Sequence, residues 1–213
     1  GLPAERVWHK SALPAETEAV IVPGGFSFGD YLRCGAIARF SPIMEDLKSF
    51  SEKGGPVFGI CNGFQILCEA GLLPGALVRN NCIEFRCVNQ CLAPEDSTEN
   101  FNRADLGEKI YLPIAHGEGN YRLDAGDLSE LEANGQVLLR YAGDPADGPG
   151  HGNPNGSVND IAGVRNATGN VFGMMPHPER VVEPFHPGLD GIGVLRAFLA
   201  PLLEETSVAM ESA

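Results

Sequence analysis

The sequence predicts an α/β domain with a mostly parallel central sheet, helices on both faces and extra antiparallel strands. Three observations carry this reading. Short apolar runs alternate with helical periodicities between Glu18 and Gly71. The middle of the chain changes to period-two alternation, at Ile83, Phe85 and Cys87, at Ile110, Leu112 and Ile114, and at Val137, Leu139 and Tyr141. Finally, Leu189, Ile192, Leu195, Phe198, Leu199 and Leu202 form one apolar helical face.

Glu18 to Val22 reads as a buried strand stopped by Pro23-Gly24-Gly25, a turn with exposed backbone amides. Ser41-Pro42 starts a helix whose apolar residues Ile43, Leu47 and Phe50 recur at i, i+4, i+7 until Gly54-Gly55. Val57 to Ile60 is the next strand, and its helix runs from about Asn62 to Ala70 with Gly71 as the stop. Strand, helix, strand and helix in quick succession require a parallel sheet covered on both faces. Ala93 to Gly107 is polar and reads as a surface excursion, and the Gly- and Pro-rich stretch 143–156 as a flexible surface loop rather than a lid. Ile161–Val164 and Val171–Met174 form a hairpin that leads into Met175-Pro176-His177-Pro178-Glu179.

The 213 residues suffice for one substantial core. With 15 basic against 28 acidic side chains, the formal charge of −13 argues against a chain that neutralises nucleic-acid phosphates. No run reaches the length of a membrane span and the first residues do not form a signal peptide, so a cytoplasmic protein is expected. Six cysteines without an export signal are read as reduced thiols. Cys34, Cys68, Cys82, Cys87 and Cys91 are taken as packing residues. Cys82, Cys87 and Cys91 lack Cys-x-x-Cys pairing, and the strand pattern turns Cys82 and Cys87 to opposite faces, so no metal site is expected.

Cys61 stands apart. Gly59-Ile60-Cys61-Asn62-Gly63 places it at a sharp strand-to-helix turn, where flanking glycines admit substrate and helix N-terminal amides lower the thiol pKa and hold an oxyanion. Such a nucleophile needs a base. Of five histidines, His9, His151 and His186 lie in loops, while His116 ends a strand in Ala115-His116-Gly117-Glu118-Gly119-Asn120, where a contact and a plain turn are both open. His177 follows a strand directly between two prolines, and Glu179, two residues on in extended backbone, shares its face. Cys61, His177 and Glu179 therefore form a candidate triad.

Gly59 to Gln65 together with Pro176-His177-Pro178-Glu179 resembles the class I, triad-type glutamine amidotransferases. Pro23 to Ala38, Ala115 to Asn120 and Gly173 to Arg180 sharpen the match to the glutaminase subunits of purine biosynthesis. The resemblance implies a flavodoxin-like class I glutaminase fold, with one amidotransferase domain over residues 1–213. Members of the family begin with a further strand that this chain lacks, so a domain without its first strand is expected.

The resemblance also implies roles. The Cys61 thiolate attacks glutamine to give a thioester and ammonia, His177 shuttles protons, the amides of Gly25 and Asn62 form the oxyanion hole, and Gln65 helps hold the substrate. Ammonia passes to a synthetase subunit, with a small bridging subunit in the bacterial form. No cofactor is expected in this chain: it has no Gly-x-x-x-x-Gly-Lys loop, so ATP and magnesium belong to the synthetase partner. Arg33, His116 and Glu118 match segments near the pocket as partner or gating contacts. Two rival readings stand beside this one. One is an interaction subunit whose site is silent until a partner docks, or permanently, and the whole triad argues against permanent loss; the other, an elbow-cysteine redox or stress protein, would give Glu179 no role.

Overall fold

The computed structural model describes residues 2–95, 101, 103 and 106–211, without the side chains of 201 and 204–211. Its strands in chain order are β1 (Val20–Val22), β2 (Val57–Ile60), β3 (Ala76–Val78), β4 (Arg86–Pro94), β5 (Ile110–His116), β6 (Asn120–Arg122), β7 (Val137–Tyr141), β8 (Ile161–Arg165) and β9 (Val171–Met174). The helices are α1 (Ile43–Glu52), α2 (Asn62–Glu69), α3 (Ala125–Ala133) and α4 (Asp190–Glu211). Among the described residues, seven strands form one sheet in the order β1-β2-β9-β8-β7-β4-β5, while β3 and β6 pair separately. Pairing is parallel from β1 through β2 to β9 and antiparallel from β9 to β5. The α/β class is as expected, and the parallel part is the end that carries Cys61.

Alternation along β2 shows why helices cover both faces. Phe58 points to one side, where its ring lies 4.8 Å from that of Phe198 on α4. Gly59 faces the other side and pairs in register with Gly173 of β9. A Cβ on Gly59 would sit 2.6 Å from Leu67, and one on Gly173 would sit 2.2 Å from the Phe64 ring. These two glycines make the shallow floor that lets α2 lie close to the sheet. Phe58, Phe64, Leu67, Phe172 and Phe198 are all at most 1% exposed, and each such side chain contributes roughly 1.5–3 kcal/mol of burial. Gly63 brings the start of α2 still closer, since its Cβ would fall 2.0 Å from the Val22 carbonyl oxygen. The end of β1, the end of β2 and the first turn of α2 are thereby locked together.

Several segments differ from the sequence reading. The alternation at Ile83 and Phe85 is not strand. Ile83 has a φ of +60°, its amide donates to the Asn80 carbonyl, and the strand begins only at Arg86. The turn at Asn80–Cys82 overrides β propensity here. Cys82 consequently lies outside the strand, and the opposite-faces argument does not apply to it. Cys34, Cys68 and Cys91 are buried packing residues, but Cys82 is half-buried and Cys87 exposed. Helix α3 was not anticipated, because Leu131 is its one buried residue and the segment carries little amphipathic pattern. Most of the 93–107 excursion lies outside the described residues, although Phe101 is buried.

The 143–156 segment is not free at the surface. The Cys91 amide donates to the Gly150 carbonyl at 2.7 Å, and Gln90 Nε2 donates to the Gly152 carbonyl at 2.8 Å. Asn155, 1% exposed, donates through Nδ2 to the Gly119 carbonyl at 2.8 Å and to the Tyr141 hydroxyl at 3.0 Å. Composition suggested a flexible loop, but buried side-chain amides pin it beneath the turn after β5.

Candidate active site

Cys61 joins β2 to α2 with φ +50° and ψ −105°, a conformation that a residue with a Cβ rarely adopts. Its amide donates to the Met174 carbonyl at 2.7 Å, which holds the elbow against β9. The side chain is 5% exposed, and Sγ lies 3.8 Å from the Ala115 carbonyl of β5. Burial pushes the thiol pKa up to about 12. A hydrogen bond from the Asn62 amide and the charge of Arg180 pull it down, while Glu179 and Asp30 raise it further. The sequence reading expected helix amides to lower this pKa. They do act in that direction, but desolvation outweighs them.

His177 is 1% exposed. Its amide donates to the Pro113 carbonyl at 2.8 Å, and Nδ1 is 2.6 Å from Glu179 Oε1. That contact selects the tautomer with hydrogen on Nδ1, and it leaves Nε2, buried with no partner among the described residues, as the basic nitrogen. Burial alone would raise the Glu179 pKa, but the hydrogen bond and charge of His177, with help from Arg180, bring it below the usual value. Glu179 thus stays ionised to orient the imidazole. Cys61 and His177 meet at Gly24: a Cβ there would lie 2.7 Å from His177 Cε1 and 3.5 Å from Cys61 Cβ. Folding thus places Cys61 and His177 beside the same glycine, with Glu179 on the Nδ1 side of the imidazole.

Gly25 follows with φ +154° and open space where a Cβ would stand. Asn62 ties this turn to the elbow, because its Oδ1 accepts from the Ser27 amide at 3.1 Å and its Nδ2 donates to Gln65 Oε1 at 2.9 Å. Gln65 in turn donates through Nε2 to the Glu118 carbonyl at 2.6 Å. Asn62 and Gln65, both nearly fully buried, therefore brace three loops around the thiol. Arg33 is engaged elsewhere, in a bidentate pair with Glu69. Glu118 Oε2 accepts from the Cys34 amide at 3.0 Å, and His116 lies buried against the turn at Gly119.

The sequence reading missed Asn80, Asn155 and Ser157. Asn80 Oδ1 accepts from the Gly119 amide and its Nδ2 donates to the His116 carbonyl at 3.0 Å. Ser157 Oγ lies 3.1 Å from the Gly119 carbonyl and also accepts from the Tyr121 amide. Asparagines in Gly-rich segments were the only available signal, and that signal equally describes solvated turns.

The thiols differ in a way that reagents can read. Slight burial works against ionisation of Cys82, but contacts with the Glu84 backbone and Arg86, whose Nε lies 3.2 Å from Sγ, bring its pKa below the usual thiol value. Iodoacetamide at neutral pH is therefore expected to label Cys82 well ahead of Cys61, with Cys61 labelling still rising as pH increases toward 12. Peptide mapping by mass spectrometry checks this, and first labelling at Cys61 would contradict the buried, protonated thiol.

The CobB/CobQ-like glutamine amidotransferase domain matches residues 5–188. The chain is 52% identical over 203 residues to phosphoribosylformylglycinamidine synthase subunit PurQ of Synechococcus elongatus, covering 95% of this chain and 88% of that protein. It is 57% identical over 183 residues to the subunit of the same name from Lacticaseibacillus paracasei, covering 85% of this chain and 76% of that protein. Among solved structures, that of PurLQS from Thermotoga maritima contains a chain 44% identical to this one, with a TM-score of 0.76 over 89% of this chain and 82% of that chain. With this fold, this elbow and this similarity over nearly its whole length, the chain belongs to the glutamine amidotransferases, in the family of the phosphoribosylformylglycinamidine synthase subunit PurQ.

Proposed function

We propose that this single amidotransferase domain hydrolyses glutamine to glutamate and ammonia and delivers the ammonia to a synthetase subunit, which consumes ATP with magnesium to form formylglycinamidine ribonucleotide. The observation that carries the reading is the convergence of the strained Cys61 elbow and the Glu179-oriented His177 on Gly24.

The chemistry follows from the protonation states. The buried thiol holds its proton at rest, and the contact of His177 Nδ1 with Glu179 leaves Nε2 as the ring nitrogen that can take it. As Cys61 Sγ adds to the carboxamide carbon, its proton passes to Nε2, and the imidazolium is stabilised by Glu179. The Asn62 amide, already directed at the thiol, and the Gly25 amide stabilise the negative charge that develops on oxygen. His177 then gives the proton to the amide nitrogen, the carbon–nitrogen bond breaks, and ammonia departs from the thioester. Water, deprotonated by the same nitrogen, releases glutamate and restores the thiol.

The rim of the site supports delivery to a partner. Phe26 and Phe85 are 64% and 52% exposed, with ring centroids 6.3 Å apart. Phe28, Tyr31 and Leu32 are exposed on the same loop as Phe26. An apolar surface next to Gly25 suits a protein interface that seals the exit from water. A bridging subunit joins the same assembly in this reading. The redox alternative gives no role to the contact between His177 and Glu179.

A glutamine-like chloroketone tests the site directly. It is expected to add to Cys61, to abolish glutamate release in proportion to labelling, and to be slowed by glutamine. Labelling confined to another cysteine with glutamate release intact would sink the reading.

A further inference from the structure

His116 is 3% exposed, yet neither ring nitrogen has a hydrogen-bond partner among the described residues. An orphaned buried imidazole is costly to keep, which points to a partner that arrives with the substrate. The ring is held from several sides. Its backbone carbonyl accepts from Asn80 Nδ2 at 3.0 Å, and the chain folds back so that a Cβ on Gly119 would stand 2.3 Å from its Cε1. Only a glycine permits that approach. The residue before it presents the carbonyl 3.8 Å from Cys61 Sγ, and His177 donates its amide to Pro113 on the same strand. The ring is close enough to His177 for the charge of one to oppose that of the other.

Resting on the glutaminase reading above, we infer that His116 is a further catalytic residue, whose unpaired ring nitrogen accepts a hydrogen bond from the carboxamide nitrogen of the substrate as it leaves. The bond that breaks is the one from the carbonyl carbon to that nitrogen. His177 supplies the proton, the thioester keeps the acyl group, and ammonia departs uncharged with one N–H directed at His116. No proton moves to His116. Burial, and then the neighbouring His177, push its pKa down to about 4, so at neutral pH it accepts a hydrogen bond without converting ammonia to ammonium. An uncharged product remains a nucleophile for the next reaction.

The test compares two substrates in the complex with the synthetase subunit. Glutamine carries N–H groups on its leaving atom, whereas glutamate γ-methyl ester carries none, and both release glutamate through the same thioester. In His116→Ala, kcat/KM for glutamine is expected to fall about tenfold further than that for the ester, the scale of one lost buried hydrogen bond. His116→Gln, which offers a carbonyl acceptor, is expected to recover part of the difference, and it decides the question if the alanine variant does not fold. Equal losses on both substrates would mean that His116 only supports the fold, and equal retention would mean that it contacts neither; each overturns the inference. If the wild-type complex hydrolyses neither substrate, the glutaminase reading itself fails, an outcome distinct from failure at His116 alone.

Discussion

Replacing Cys61 with glycine is expected to abolish glutamate release while leaving the protein more stable than replacement with alanine. Both variants remove the nucleophile, and loss of an activated nucleophile costs roughly 10⁴-fold or more in turnover. They differ only at Cβ. The elbow at φ +50° and ψ −105° strains any residue with a Cβ by about 1–3 kcal/mol, and glycine escapes that strain at a conformational-entropy cost of roughly 0.5–1 kcal/mol. The glycine variant is thus expected to exceed the alanine variant by about 1 kcal/mol, which for a chain of this size is roughly 2–4 °C in melting temperature. Elsewhere in a helix or strand the order would be reversed. Calorimetry on the two variants, with a glutamate assay, separates the claims: an alanine variant of higher melting temperature refutes the strain, and residual glutamate release refutes the nucleophile.

That strain also explains what the sequence could announce. A cysteine between two glycines, after an apolar strand and before a helix, is written in local spacing, and so are β2, α2 and the Pro-His-Pro-Glu segment. Each depends on close neighbours in the chain. The pKa of Cys61 does not. Helix amides were visible in the pattern, but the burial that outweighs them comes from β5 and β9, which are distant in sequence. Gln65 enters the candidate site through resemblance alone. Its hydrogen bonds to Asn62 and to the Glu118 carbonyl show a brace that no spacing rule predicts. Asn155 carries the same lesson, since its side-chain amide holds beneath Gly119 a stretch that Gly and Pro content marks as mobile. Ile83 inverts it, because a β-branched residue inside an alternating pattern adopts a positive φ under the hold of a preceding turn.

Gly24→Ala is expected to reduce kcat for glutamate release roughly a hundredfold or more, at a stability cost of about 1–3 kcal/mol from overpacking. Unlike Gly25, Gly24 has no positive φ, so its backbone accepts alanine and the effect is steric. The new methyl would lie 2.7 Å from His177 Cε1 and 3.5 Å from Cys61 Cβ. The ring cannot easily yield. His177 is fixed by its amide bond to Pro113, by Glu179 and by prolines on both sides, so relief requires the imidazole to shift relative to the thiol. A displacement near 1 Å between nucleophile and base costs about two orders of magnitude. Chloroketone labelling of Cys61 is expected to slow in parallel, because it depends on the same proton transfer. Gly25→Ala meets no atom of the described residues within 4 Å, so its cost comes from the backbone at φ +154°. A Gly24→Ala protein whose turnover stays within threefold of wild type would show that the imidazole and the thiol do not meet across this glycine.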